Sequence, residues 1–443
     1  MATRSRAIAR ASNDAADRSR FPNLAHVLAV TALAVVVALY VRAGSPHGRV
    51  TRPTPIIFAR VKGTEKMTTS ASASLGSHPA SRKLTVENLI LGCSPLAGIY
   101  ASSTPERATA TVRTALEAGF TRFDTAPHYG LGLSERRLGD ALRECGADMS
   151  TTRVYTKVGR VLKPTHTVTD AEKRGGKVEW GNVPGDPGCI FPDAPVDVLP
   201  VLDYTGPGFR RSHDDSLQRM GIERVDGLRI HDAEDEARYA EAVGGGGVAE
   251  LVKLREEGFI NEVSLGMNDA YFVQRMLHDN PAGTFDSVMM AGSWNLLDQD
   301  GGDVLLECQR RGVKVRVYFY HCTVNLTDPC VFCQVHNAGI FASGLLVGGS
   351  HYKYGPAPPE IVERTERWKA LAAKYDVPLP AVAIAFACAP SVVDGCAVGV
   401  KSPDEVTQNV AWLSDANAVP MQLWEDAKSS GLLAEGVPVP GGV

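Results

Sequence analysis

The chain has 443 residues, 44% of them hydrophobic and 22% charged, with a formal net charge of -4 at pH 7. That length suits one large α/β domain with extra segments, and the balanced charge argues against a phosphate-rich partner, so no nucleic acid is expected. The nine cysteines are odd in number and scattered through segments that read as buried, which argues against a disulfide framework and for a reducing compartment, cytoplasm or organelle.

Residues 1–83 differ from the rest. Arg4, Arg6, Arg10, Arg18 and Arg20 precede LAHVLAVTALAVVVALYV, residues 24–41, and a stretch rich in Ser, Thr, Pro and Ala then reaches Arg82 and Lys83. An apolar run behind a basic segment forms a leader: a signal peptide, or a transmembrane signal anchor associating the chain with a membrane. Arg42, Arg49, Arg52, Arg60 and Lys62 follow the run as well, so positive charge assigns no orientation. A start of translation at Met67 is the competing reading of the same residues.

Over residues 84–443, apolar strand-like runs alternate with helical patterns, the signature of a parallel sheet built from βα units. The expected strands are NLILG (88–92), FTRFD (120–124), RVYTK (153–157), VDGLRIH (225–231), INEVSLG (260–266), FDSVMMA (285–291), GVKV joined to NAGIF (312–315 and 337–341), and DGCAVGV (394–400). Eight such strands predict a (β/α)8 TIM barrel rather than an open sheet, because no GxGxxG opens a helix. The helices carry ordinary start signals. Thr104 caps a helix beginning at Pro105 and ending at Gly119, and Ser402 caps another with Pro403, Asp404 and Glu405 in its first turn, an N-terminus able to hold a phosphate.

Residues 316–335, RVYFYHCTVNLTDPCVFCQV, break this pattern by splitting the seventh strand. A closed barrel cannot easily absorb an aperiodic block inside a strand without losing ladder hydrogen bonds on both sides. The block reads as a retained intron: Thr327-Asp328 can be encoded with a branch-point-like CTGAC, and Cys333-Gln334 can end in CAG. Cys322, Cys330, Cys333 and His336 match no common zinc spacing, so no metal is expected, and the sequon at Asn325 stays unused in a reducing compartment.

The polar residues that end the apolar runs point to chemistry, because barrel active sites lie at the C-terminal ends of the strands. Asp124 ends the second strand, Tyr129 follows in its loop, Lys157 ends the third and His231 the fourth. Each alone reads equally as a structural hydrogen-bonding group or a loop cap. Together they suit proton transfer in carbonyl or alcohol redox chemistry: a lysine cation favours the phenolate, the aspartate orients the lysine, and the histidine binds the substrate oxygen.

RFDTAPHYG, VYTK and IHD, in this order on consecutive strands, resemble the aldo-keto reductase superfamily from about Leu89 to Leu433. The resemblance implies that Tyr129 is the general acid/base, that Asp124, Lys157 and His231 complete a tetrad, and that His128 is a neighbouring loop residue. It also implies a nicotinamide dinucleotide extended along the barrel mouth without a Rossmann motif. GVKSPDEVTQN resembles the family's adenosine-phosphate loop, which brings Lys401 and Ser402 to the ribose or its phosphate and Gln408 and Asn409 to the adenine; Phe341 and Ser343 of GIFASGLL join the cofactor-binding set. Glu405 stands where NADP-preferring relatives often place an arginine. Its charge opposes a 2′-phosphate while Lys401 attracts one, so NAD is expected, with NADP as the second candidate. The usual Ser-Asn at the nicotinamide appears here as Met267-Asn268 and the usual glutamine as Ala291, which leaves Asn268 to bind the carboxamide.

DSLQRMGIERVDGLRIHD, SLGMN, AGSWNLLDQ and GIFASGLL resemble a subgroup, the D-threo-aldose 1-dehydrogenases including L-fucose dehydrogenase, with L-galactose and pyridoxal 4-dehydrogenases as relatives. The implied reaction oxidises the anomeric carbon of an aldose of the L-fucose, L-galactose or D-arabinose type to a lactone. Reduction of pyridoxal or another carbonyl is the alternative, and a non-catalytic channel subunit carrying the same fold is a third. The segment from Arg160 to Asp203 is too long for a plain connection and reads either as a substrate-covering loop or as a disordered surface insertion; Trp294 reads either as a cofactor or sugar contact or as packing.

Overall fold

The computed structural model describes residues 74–79, 82–311 and 334–442. The apolar run 24–41, Met67 and residues 316–333 lie outside them. Among the described residues no single helix is long and apolar enough to cross a membrane.

Among the described residues twelve strands form: β1 (Leu89–Gly92), β2 (Arg122–Asp124), β3 (Arg153–Val158), β4 (Arg160–Pro164), β5 (Val198–Leu202), β6 (Gly227–His231), β7 (Glu262–Met267), β8 (Ser287–Ala291), β9 (Gln334–Ala338), β10 (His351–Tyr352), β11 (Gly355–Pro356) and β12 (Val393–Gly399). Eight of them close a barrel in the order β1-β2-β3-β6-β7-β8-β9-β12, every pair parallel. This is the expected (β/α)8 architecture.

Side chains alternate along each strand, as a two-residue period requires. One set, including Val154, Leu228, Ile230, Val263, Leu265, Val288 and Val335, belongs to the buried apolar cluster shared with the helices. The other set points into the barrel and is polar: Tyr155 and Lys157 on β3, Arg229 and His231 on β6, Ser264 on β7 and His336 on β9 are joined by hydrogen bonds or ring contacts. Room for these large groups comes partly from glycine. A Cβ at Gly227 would stand 2.4 Å from the Tyr155 ring.

The helix starts follow their signals. The Thr104 side chain accepts the Arg107 N–H at 3.2 Å, and Ser402 accepts the Glu405 N–H at 3.3 Å.

The seventh barrel strand corrects the sequence expectation. Its described part runs over Gln334–Ala338, so Gln334 and Val335 of the block 316–335 lie in the strand, while Ile340 and Phe341 lie in the turn beyond it; residues 312–315 lie outside the described residues. The pattern explains the choice, because Val335 faces the helices with no exposed surface and His336 faces the interior, where it meets Arg229. Of the two readings of the segment from Arg160 to Asp203, the disordered insertion is not what forms: β4 and β5 pair antiparallel, and a short helix, Asp170–Arg174, lies between them.

Candidate active site

The barrel geometry gathers the expected tetrad. Asp124 and His231 are the last residues of β2 and β6, Lys157 lies one residue from the end of β3, and Tyr129 stands in the loop after β2. The Lys157 ammonium donates to the Asp124 carboxylate and, at 2.9 Å, to the Thr125 carbonyl. Its nitrogen is 4.7 Å from the centre of the Tyr129 ring, and the His231 ring meets that ring edge-on at 5.9 Å. Asp124, Lys157 and His231 are all buried.

Burial governs the charge states here. It pulls the Lys157 pKa below its ordinary value, a fall opposed by the charge and hydrogen bond of Asp124. Burial also raises the Tyr129 phenol well above its ordinary value, helped by the negative charges of Asp124 and Asp232 and opposed by Arg229. The phenol is therefore harder to ionise than the neighbouring lysine alone implies. His231 is held well below its ordinary value by burial and by the charges of Arg160 and Lys157, so its ring is neutral and able to hydrogen-bond an uncharged oxygen.

Several groups were not singled out from the sequence. Arg160 on β4 binds Glu179 through two hydrogen bonds of 2.6 and 2.9 Å and pairs with Asp232 at 2.9 Å. Although burial raises it, Arg160 holds the Glu179 carboxyl down at about 2. His128 is more than a loop neighbour: its ring packs edge-on to His231 at 5.6 Å and to Phe191 at 6.1 Å, and its buried Nδ1 makes no hydrogen bond. Burial first, then the charge of Arg160, lowers its pKa to about 3. Arg229 lies in the barrel interior with no exposed surface, its Nε donating to Asp124 at 2.8 Å. The legible signal for Arg229 was a charge two residues before His231 in GLRIH, which places both on one face of the strand.

Two cavities open at this end of the barrel. The smaller, about 300 Å³, is walled by Tyr129, Lys157, His231, His128, Phe191 and Met267 among others, so the β4–β5 hairpin contributes to its wall through Phe191. The larger is a groove of about 1220 Å³, and Asn268, Ala291, Gly339 and Tyr354 line both. Six non-glycine residues on these walls, Tyr100, Asp232, Ala342, Ser343, Lys353 and Tyr354, take left-handed backbone, a strain that collects at ligand sites.

The expected cofactor residues fall along the groove with one exception. Phe341, Ser343, Lys401, Glu405, Gln408 and Asn409 line it. Ser402 is not among the lining residues; its hydroxyl caps the helix Pro403–Ala416, as its sequence signal predicts. Asn268 donates to Asp232 at 3.2 Å and accepts from the Tyr354 hydroxyl at 3.3 Å, which orients its amide at the join of the two cavities. Asn409 donates to the Glu405 carbonyl, and its buried Oδ1 has no partner. A groove ending in an orphaned acceptor fits a dinucleotide whose adenine offers an amino donor. Trp294 lies in the packed interior, stacked on Phe386 at 5.3 Å, and lines neither cavity.

The family model for the aldo/keto reductase family matches residues 88–320. The chain is 31% identical to pyridoxal 4-dehydrogenase of Microbacterium luteolum over 79% of its own length and 96% of that protein. It is 30% identical to D-threo-aldose 1-dehydrogenase of a Pseudomonas species, over 80% and 97% of the two chains. Among solved structures, an aldo-keto reductase of Bacillus halodurans in its holo form superposes with a TM-score of 0.55 at 19% identity, covering 83% of this chain and 98% of that one, a likeness of fold. With that barrel, the site at its mouth and more than half the sequence matched, the chain belongs to the aldo/keto reductase family.

Proposed function

We propose that the protein is an NAD-dependent dehydrogenase that oxidises the anomeric carbon of an aldose of the L-fucose, L-galactose or D-arabinose type to a lactone. The observation that carries the reading is the junction of the small pit holding Tyr129, Lys157 and His231 with the long groove, at a wall shared through Asn268. A cyclic sugar suits the pit, and a dinucleotide suits the groove. The direction follows the two relatives of about 30% identity, both named dehydrogenases, one of them for D-threo-aldoses.

A nicotinamide dinucleotide, when bound, supplies the acceptor for the hydride that leaves the anomeric carbon. Asn268 would hold its carboxamide, and Phe341, Ser343, Lys401, Gln408 and Asn409 its adenosine and phosphate portions. The ionised Tyr129 takes the proton of the anomeric hydroxyl, so the carbon loses two electrons and one C–H and one O–H bond, and a C=O bond forms. Neutral His231 donates a hydrogen bond to the same oxygen and fixes its position. Lys157, anchored by Asp124 and Thr125, lies over the phenol ring and favours its negative form. His128, in the loop after β2, and Phe191, in the β4–β5 hairpin, wall the pit against water.

L-fucose, L-galactose, D-arabinose and pyridoxal, each assayed with NAD and for the reverse reaction, test this reading. Sugar oxidation is the expected result; turnover of pyridoxal alone would assign the protein to the other relative's chemistry, and absence of any oxidation would defeat the proposal.

The coenzyme preference rests on Glu405. Its carboxylate accepts the Lys401 backbone N–H at 2.9 Å and stands 3.6 Å from the Lys401 ammonium, so that cation is already engaged. Glu405→Gln frees Lys401 for a 2′-phosphate. The ratio of kcat/KM for NADP to that for NAD is expected to rise by about tenfold or more, the effect of one charge pair of about 1.4 kcal/mol. An unchanged ratio would place the discrimination elsewhere.

A further inference from the structure

We propose that Arg229 is a positioning residue for proton abstraction: it leaves the barrel mouth with one cation in excess, so that ionised Tyr129 is the charge-balanced state. The inference rests on the reading of Tyr129 as the proton acceptor.

Arg229 is fully buried in β6, and the parallel register sets it between Lys157 on β3 and Ser264 on β7. Its three nitrogens are all used. Nε donates to Asp124 Oδ2 at 2.8 Å, Nη1 to Ser264 Oγ at 2.6 Å and Nη2 to His336 Nδ1 at 2.7 Å, while the guanidinium lies 4.6 Å from the centre of the Tyr155 ring. A histidine that accepts on Nδ1 is neutral, and burial together with Arg229 holds the His336 pKa well below its ordinary value. Of the groups bonded to Arg229, only Asp124 can carry negative charge.

That carboxylate is shared, because its other oxygen takes the Lys157 ammonium. Two buried cations therefore face one anion. An unbalanced buried charge is costly, and the next group able to supply the missing negative charge is the Tyr129 phenol beneath the Lys157 ammonium. With Arg229 removed, Lys157 and Asp124 would balance each other and the neutral phenol would be the favoured state.

Among the described residues, the surrounding charges are engaged elsewhere. Asp232 is paired with Arg160, and Glu179 is bound by Arg160 and Arg238. His231 and His128 are neutral, and burial raises Cys93 far above its ordinary value. Deeper in the barrel, Glu262 accepts from Tyr155 at 3.2 Å and from Ser287 at 3.0 Å; burial raises its pKa, which favours the neutral acid, and Arg229 opposes that rise without forming an ion pair with it. Arg122 is paired with Asp394. Arg229 itself acts against the burial that raises the Tyr129 pKa. A dehydrogenase needs the phenolate, and this arginine is the group in the barrel that opposes its suppression without touching the substrate cavity.

The test is a titration of tyrosinate absorbance in the full-length wild type, Arg229→Gln and Arg229→Lys, each against the same protein carrying Tyr129→Phe, so that the difference isolates one phenol. Circular dichroism checks the fold, and Arg229→Met replaces Arg229→Gln should the latter not fold. The Tyr129 transition is expected about 1–2 pH units higher when the charge is removed, and within about half a unit of wild type in Arg229→Lys. A transition at the same pH in wild type and the uncharged variant, or in neither before alkaline unfolding, overturns the proposal. Turnover of L-fucose and pyridoxal with NAD separates the two readings. A Tyr129→Phe protein with wild-type turnover refutes Tyr129 as the base, whereas an inactive Tyr129→Phe with an unshifted transition refutes only Arg229.

Discussion

Tyr129→Phe is expected to lower kcat by about 10²–10⁴-fold, the span of a positioned general acid or base, while KM and coenzyme affinity stay close to wild type. The substitution removes one oxygen and keeps the ring, whose contacts with His231 at 5.9 Å and Phe191 at 6.3 Å are made by carbon. Steady-state kinetics at several pH values measure it. An unchanged kcat would mean that another group moves the proton, and the neutral His231 would be the next to test. A loss confined to KM would instead assign Tyr129 to binding. The same variant separates an enzyme from a cofactor-binding module, since equal inertness of wild type and variant on every substrate would favour the latter.

Asp124→Asn is expected to cost stability as well as turnover. The carboxylate is buried and bonded to both Lys157 and Arg229, which are themselves buried. Replacing it with an amide keeps the shape and strands two cations, and breaking a buried ion pair by removing one partner costs roughly 3–5 kcal/mol. Denaturant unfolding at neutral pH should show a lower midpoint with an unchanged slope. A loss below about 1 kcal/mol, the range of an exposed pair, would mean that the two cations are balanced by groups other than Asp124.

The two variants act on one unit, so their effects should not add. Asp124 positions the lysine, Arg229 shares Asp124, and both bear on the phenol. The interior of this barrel is thus a bonded polar layer running from the Ser264–Ser287 contact at 2.9 Å up to the tetrad. Such a layer demands complete satisfaction, and Arg229 meets it with all three nitrogens.

The barrel and the tetrad were legible in the sequence for local reasons. Short apolar runs ended by Asp124, Lys157 and His231 carry their own strand signal, and the strand end is where barrel chemistry sits. The Thr104 and Ser402 caps were equally local, each bonding an N–H three residues on. The hairpin of β4 and β5 was not legible. Its partners, such as Arg160 and Leu202, are separated by a long stretch of short helical turns and loops, and no periodicity within either strand names the other.

What the sequence determined by itself was seven of the eight barrel strands, the helix starts at Thr104 and Ser402 and the identity of the groups near the strand ends, since propensity, capping and alternation act between near neighbours along the chain. What the tertiary structure decided was which charges share a partner. Lys157, Arg229, Ser264 and His336 sit on four strands, and only closure of the sheet, with its parallel register, brings their side chains around Asp124 and beneath Tyr129. Coulombic and hydrogen-bond energies depend on distances of a few ångströms through a dry interior, and those distances are properties of the closed barrel rather than of any segment.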